Sequence, residues 1–220
     1  MEVSELANFI DQAALDPFLS KQSIKEVCTA SIHYNFRAVC SDLIKLKECR
    51  ENLRNQTGIK LIAAISFPFG CIPIQHKKAQ AEWAFENGAN ELELVPNFHA
   101  LKEKKIDIFG YEIATICELG LPVTTVLDTR NLSKEEISLA INSSIEAGTS
   151  TIQNSNGFGG SVHKQDIKMI SDLTKGRCEI KAVGAIKTVS QCIDVIEAGA
   201  SRVGTSYGSQ LMSSVKKNLK

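Results

Sequence analysis

Eight apolar, β-branched runs of strand length alternate with segments of helical spacing along this chain, and that alternation predicts an α/β protein with a parallel sheet. Polar residues and glycines gather at the C-terminal ends of these runs, which is where a closed barrel of parallel strands carries its chemistry. No Gly-x-Gly-x-x-Gly or Walker A loop follows any of them, which weakens the competing open, doubly wound sheet. Eight such units in 220 residues predict a (β/α)8 TIM barrel near the lower end of its size range. Neither a linker, a low-complexity stretch nor a composition shift divides the chain, so residues 1–220 read as a single domain.

The first strand is expected near Phe9-Leu15, followed by a helix over Ser20-Tyr34 that Ser20 is placed to cap. Ala38-Ser41 is the second strand. Lys60-Ser66 is the third, with a helix over Pro73-Asn87. Glu91-Val95 precedes a helix over Ile106-Leu119. Val123-Asp128 precedes one over Ser133-Ala147, where Ser133-x-x-Glu136 matches a capping box. Thr151-Asn154 leads to Lys164-Thr174, Glu179-Val183 to Thr188-Ala198, and Arg202-Thr205 is the last strand. Asn87-Gly88-Ala89, Ala147-Gly148 and Ala198-Gly199-Ala200 fit helix C-caps that turn into the next strand.

Hydrophobic content of 43% and charged content of 23% are ordinary for a globular protein. Lys+Arg and Asp+Glu are equal at 25 each, so no global field attracts nucleic acid or an anionic membrane. Local basic tracts such as Lys102-Glu103-Lys104-Lys105 are interrupted by acids and read as solvated faces. No apolar run approaches the roughly 18 residues that span a bilayer, and Met1-Glu2-Val3-Ser4-Glu5 lacks the basic start of a secretory signal. Seven scattered cysteines without Cys-x-x-Cys point to neither a disulfide framework nor zinc, so a reducing cytoplasm is expected. His33, His76, His99 and His163 show no metal-ligand spacing and read as surface or loop residues, with no metal expected. Trp83 and the phenylalanines read as packing between helices and barrel.

Taken in order, the strand ends carry Asp11 with Gln12, Cys40 with Asp42, Phe67-Pro68-Phe69-Gly70, Glu93, Asp128, Gln153 with Asn154 and Ser155, Lys181, and Gly204-Thr205-Ser206. A lysine in an apolar strand is either paired or used, and Lys181 is therefore a candidate functional amine. The alternative is a structural ion pair with Glu93 or Asp128. Cys40 reads as a small core residue. Gly157, Gly184 and Gly204 lie on successive late loops, where backbone N–H groups could approach a phosphate with Ser206 adding a hydroxyl, or they only serve tight turns. Gly204-Thr205-Ser206-Tyr207-Gly208 matches a serine-hydrolase elbow, but residues 209–220 contain neither the acid nor the histidine that chemistry needs.

These segments, in register, resemble the deoxyribose-phosphate aldolase family over nearly the whole chain. The matching runs are Ile10-Asp11-Gln12-Ala13-Ala14-Leu15-Asp16-Pro17, Phe36-Arg37-Ala38-Val39-Cys40, Ile65-Ser66-Phe67-Pro68-Phe69-Gly70 and Gly88-Ala89-Asn90-Glu91-Leu92-Glu93-Leu94-Val95. Val126-Leu127-Asp128-Thr129, Ile152-Gln153-Asn154-Ser155-Asn156-Gly157-Phe158, Lys181-Ala182-Val183-Gly184-Ala185-Ile186-Lys187-Thr188 and Arg202-Val203-Gly204-Thr205-Ser206 continue it. The resemblance implies a class I aldolase that needs no metal or other cofactor. It also implies cleavage of 2-deoxyribose 5-phosphate to glyceraldehyde 3-phosphate and acetaldehyde, in cytoplasmic deoxyribonucleotide breakdown. The partner would be a small phosphorylated sugar or aldehyde, with no nucleic acid and no membrane, and a homo-oligomer is possible for such a chain.

Carried over residue by residue, the resemblance puts Gln153 where the family has its Schiff-base lysine, and Lys181 where it has the second lysine that depresses the pKa of the first. Glu93 stands for the aspartate of the proton relay, Asp128 for a glutamate, Ala185 for a second glycine and Lys187 for an arginine near the phosphate. Gln12 and Asp16 stand where a histidine and a lysine are common, and the segment Ser213–Lys220 has no terminal tyrosine. An amide nitrogen cannot attack an aldehyde, so the activity is expected to be weak. Beside Lys181, Gln153 is expected to offer an acceptor that, with Glu93 or Asp128, keeps the amine protonated. Two alternatives stay open: a non-catalytic phosphosugar-binding protein, and an isomerase using Glu93 and Asp128 as an acid/base pair.

Overall fold

The structure, a computed structural model, describes residues 3–54 and 58–218; Met1, Glu2, Leu219 and Lys220, quoted above for the two ends, lie outside the described residues. A short α1 (Val3–Leu6) and a 3-10 turn (Ala7–Phe9) lead into β1 (Ile10–Ala14). There follow α2 (Lys21–Tyr34), β2 (Ala38–Ser41), α3 (Leu43–Leu53), β3 (Lys60–Ile65), α4 (Ile74–Glu86) and β4 (Glu91–Leu94). Next come α5 (Phe98–Lys102), α6 (Ile106–Cys117), β5 (Val123–Val126), a 3-10 turn (Thr129–Asn131) and α7 (Lys134–Glu146). The chain continues through β6 (Thr151–Gln153), α8 (Lys164–Thr174), β7 (Glu179–Val183), α9 (Val189–Glu197), β8 (Arg202–Thr205) and α10 (Gly208–Asn218).

The eight strands pair in parallel in chain order, and β8 returns to β1 through Ile10 opposite Val203 and Asp11 opposite Gly204. The expected closed barrel is therefore the observed one, as a single domain. Its local punctuation follows the sequence. Ser20 accepts the N–H of Ser23 at 3.1 Å, and Ser133 and Glu136 form the reciprocal box (Glu136 N to Ser133 Oγ 3.2 Å). Such caps contribute about 1 kcal/mol each. Gly88, Gly148 and Gly199 end α4, α7 and α9 in the positive-φ region that favours glycine.

Four helices were not expected: the single turn of α1, and α3, α5 and α10. In α3 the apolar stripe is narrow (Leu46, Cys49 and Leu53), and charged residues surround it. Asp42 caps it, accepting the N–H of Lys45 at 3.0 Å. The five residues of α5 are too few for a periodic signal. Helix α10 buries Leu211, Met212 and Val215. Among the described residues no helix is long and apolar enough to cross a membrane.

Alternation along each strand splits the core in two. Leu61, Ala63, Leu92, Leu94, Ile152, Ala182 and Val203 face outward into one large apolar cluster with the helices. Inside the barrel the apolar content is small: Ala38, Cys40 and Ile62 cluster with Leu15 against them, and Ala64 and Val126 lie in register with Glu93 and Gln153. The rest of the interior includes ionised side chains, and those build the site.

Candidate active site

Strand β7 turns Ile180 and Ala182 outward, so Lys181 between them projects into the barrel. Its stem lies against Gly204 of the neighbouring strand. A Cβ on Gly204 would sit 2.8 Å from Lys181 Cε and 2.7 Å from Val183 Cγ2, so only glycine leaves the lysine its path. The ammonium, 2% exposed, lies 2.8 Å from Asp11 Oδ2 and donates to Glu93 Oε1. The Cys40 thiol donates to the other Glu93 oxygen at 3.3 Å.

Asp11 is held from below as well. Arg37 grips its carboxylate through Nε (2.6 Å) and Nη2 (3.1 Å), and forks at the same time onto Glu91 at 2.9 and 3.0 Å. Arg202 closes on Glu91 at 2.9 Å and also reaches Glu179. A continuous line of alternating charge thus runs down the barrel: Glu93, Lys181, Asp11, Arg37, Glu91, Arg202, Glu179.

This line fixes the ionisation of the floor. Burial alone would push Lys181 toward the neutral amine, but Asp11 and Glu93 outweigh it and hold the pKa above the ordinary lysine value. Burial likewise works to raise the Asp11 carboxyl, and Lys181 with Arg37 overcomes it and keeps the pKa low. The Cys40 thiol is pushed well up by burial and by the Glu93 carboxylate, which makes it a packing residue rather than a nucleophile.

Gln153 lies directly opposite Lys181 in the β6–β7 register. Its amide nitrogen donates to the carbonyl of Ser155 at 2.6 Å, and its Oε1 is buried without a partner. The expected hydrogen bond from Lys181 to this oxygen is therefore not made. Two carboxylates out-compete a neutral amide for an ammonium group, and Asp11, not Asp128, is the second of them.

Above the floor the barrel mouth opens into a cavity of about 460 Å³. Leu15, Pro17, Leu19 and Val27 form an apolar wall on one side, and Gly157, Gly184, Ala185 and Ser206 form a rim on the other. The β6–α8 loop crosses the mouth as a strap. Asn156 donates to Pro68 O at 3.1 Å, Phe158 packs on Phe67 with ring centroids 5.8 Å apart, and Arg130 clamps the carbonyls of Gly159 and Ser161. The strap lies so close to β7 that a Cβ on Gly184 would meet Gly160 O at 2.7 Å.

Of the residues expected at the site, Glu93, Gln153, Lys181, Gly157, Gly184, Gly204 and Ser206 line one cavity. Asp128 does not join them. Strand β5 ends at Val126, and the Asp128 carboxylate turns beneath the strap, taking Asn131 Nδ2 at 2.8 Å. The acid/base pair of Glu93 and Asp128 is thus not assembled. Lys187 also lies off the cavity wall, its ammonium 4.9 Å from the Tyr207 ring centre. Gly157 is drawn into its own turn, donating its N–H to Ser155 Oγ at 3.0 Å.

Against expectation, not all of the phenylalanines pack between helices and barrel. Phe36 and Phe109 are core, but Phe18, Phe69 and Phe158 are 92%, 67% and 70% exposed on the loops of the mouth. All four histidines are exposed, as expected. Sequence reasoning did not assign Arg37, Glu91 and Arg202 to the site. The signal was a charged residue at or beside the start of several apolar strands, a place where an unpaired charge would be costly.

No family model matches the sequence. The deoxyribose-phosphate aldolase of Thermococcus kodakarensis is 34% identical over 218 residues, covering 96% of this chain and 97% of its own. The chain belongs to the deoxyribose-phosphate aldolase family. The aldolase of that name from Picosynechococcus sp. is 35% identical over 209 residues, 94% of this chain and 91% of its own. Among solved structures, QR15, described as an aldolase, superposes with a TM-score of 0.93 at 32% identity over 98% of this chain and 97% of its own. The deoxyribose phosphate aldolase of Aeropyrum pernix, described as a unique tetramer, gives 0.90 at 25% identity over 98% and 92%.

Proposed function

We propose that this aldolase-family chain binds a small sugar phosphate of the 2-deoxyribose 5-phosphate type, and cleaves it to glyceraldehyde 3-phosphate and acetaldehyde only weakly. The observation that carries the reading is the state of the floor: an amide at Gln153 and a lysine gripped by two carboxylates. An imine needs a neutral amine. With its pKa above about 10.4, Lys181 is neutral in fewer than about one molecule in a thousand at pH 7.

The phosphate end of the ligand belongs against the Gly184–Ala185 turn and Ser206, on the rim of the cavity. On the floor, Lys181 serves as a fixed cation able to steady a developing oxyanion, with Glu93 beside it as the proton-moving carboxylate. The same floor also favours a second reading, binding without turnover.

Turnover of 2-deoxyribose 5-phosphate, followed by borohydride trapping and mass spectrometry, tests this. The native chain should leave an adduct on Lys181 or none, with activity far below that of a family member carrying the lysine. Gln153→Lys should place the adduct at residue 153 and raise turnover by about a hundredfold or more. Vigorous turnover that survives Lys181→Ala in the native background would overturn the reading.

A further inference from the structure

The Gln153 side chain is held by one end only. Its nitrogen donates to Ser155 O at 2.6 Å, and a half-turn of the amide would set Oε1 against that carbonyl, acceptor to acceptor. The oxygen is therefore fixed as the free end. It is a buried acceptor, without a protein donor, on a side chain that is 3% exposed and lines the cavity. Buried acceptors are rarely left unpaired.

Its neighbours on the floor decide what can approach. The Cys40 thiol and two of the three ammonium hydrogens of Lys181 are committed to Glu93 and Asp11. What remains is the acceptor on Gln153 and one N–H on Lys181. A carbonyl oxygen could take that N–H, but it would leave Gln153 Oε1 unpaired. A hydroxyl meets both, donating to Gln153 and accepting from Lys181.

We propose, resting on the phosphosugar reading above, that this cavity takes its ligand through a hydroxyl donated to Gln153 Oε1. It is a site for a sugar phosphate in its ring form, or for the reduced open-chain polyol, rather than for the open aldehyde. The substitution at position 153 thereby does more than remove a nucleophile. It changes the functional group that the floor recognises.

Calorimetric titration with three probes tests the proposal: 2-deoxyribitol 5-phosphate, the same compound with its C1 hydroxyl replaced by hydrogen, and inorganic phosphate. The native protein should bind the polyol about tenfold or more tighter than the C1-deoxy compound. Gln153→Met, of similar length but without the acceptor, should lose that preference while still binding the C1-deoxy compound. Equal affinities in the native protein, or a preference that persists in Gln153→Met, overturn the proposal and leave the phosphosugar reading standing. If neither organic phosphate binds, the phosphosugar reading and the proposal fall together. The native comparison stands even where the variant does not fold.

Discussion

Lys181 is the residue whose surroundings decide most. A lone ammonium at 2% exposure would be costly, and this one survives because Asp11 and Glu93 meet it and Gly204 gives its stem room. The pH dependence follows from the two shifts. Asp11 folds with its pKa below the ordinary value of about 3.9, so its contribution is present above about pH 4 and is lost as pH falls through the lower folded value. Lys181 folds with its pKa above about 10.4, so its contribution is complete below about pH 10 and is lost as pH rises through the folded value. Lys181→Met should therefore cost about 3–5 kcal/mol in urea unfolding between about pH 5 and 9, because it leaves Glu93 buried without a cation. The gap to the native protein should narrow below about pH 4. A gap that does not change with pH would contradict the ion-pair account.

At the scale of elements, the strap between β6 and α8 and the turn after β7 shape the mouth together. Gly184 donates nothing to the strap but accepts from it, taking the Val162 N–H at 3.0 Å. The next residue, Ala185, holds φ at 46°, a region that alanine enters at a cost of roughly 1–2 kcal/mol. The backbone here holds a shape suited to glycine although the residue is alanine. Ala185→Gly should thus raise stability by about 0.5–1 kcal/mol, the relief of strain being partly offset by the freer unfolded chain. Thermal unfolding of the two proteins measures it, and a loss of stability would show that the strain is absent. The turn of Asp128 away from the cavity belongs to this scale too, since the end of β5 at Val126 and the bond to Asn131 set it.

For the whole molecule, the line of charge from Glu93 down to Glu179 replaces much of the apolar filling that a barrel interior usually carries. Arg37 is its central link, with two bidentate grips on carboxylates from different strands. Arg37→Gln should leave Asp11 and Glu91 facing one another with less cation between them, costing about 3 kcal/mol. For a chain of this length that corresponds to a fall in Tm of about 6–12 °C, read by calorimetry. A change within about 1 °C would mean that solvent, not Arg37, carries those carboxylates. Arg37→Lys keeps the charge but not the fork, and should fall between the two.

Features that depend on neighbours along the chain were legible in the sequence. Alternation marked all eight strands, serine caps and glycines marked helix ends, and the polar strand ends marked Gln153 and Lys181, which both line the cavity. Among the helices it missed, α3 has a narrow apolar stripe, and α1 and α5 have too few residues for a period. Which side chains meet across the barrel was settled by folding alone. Glu93 is 88 residues from Lys181, and Asp11 meets it only because β8 closes on β1. Strand patterns say which residues point inward but not how far each strand slides past its neighbour. That offset selected Asp11 over Asp128 as the partner of Lys181, left the oxygen of Gln153 unpaired, and so set the chemistry of the floor.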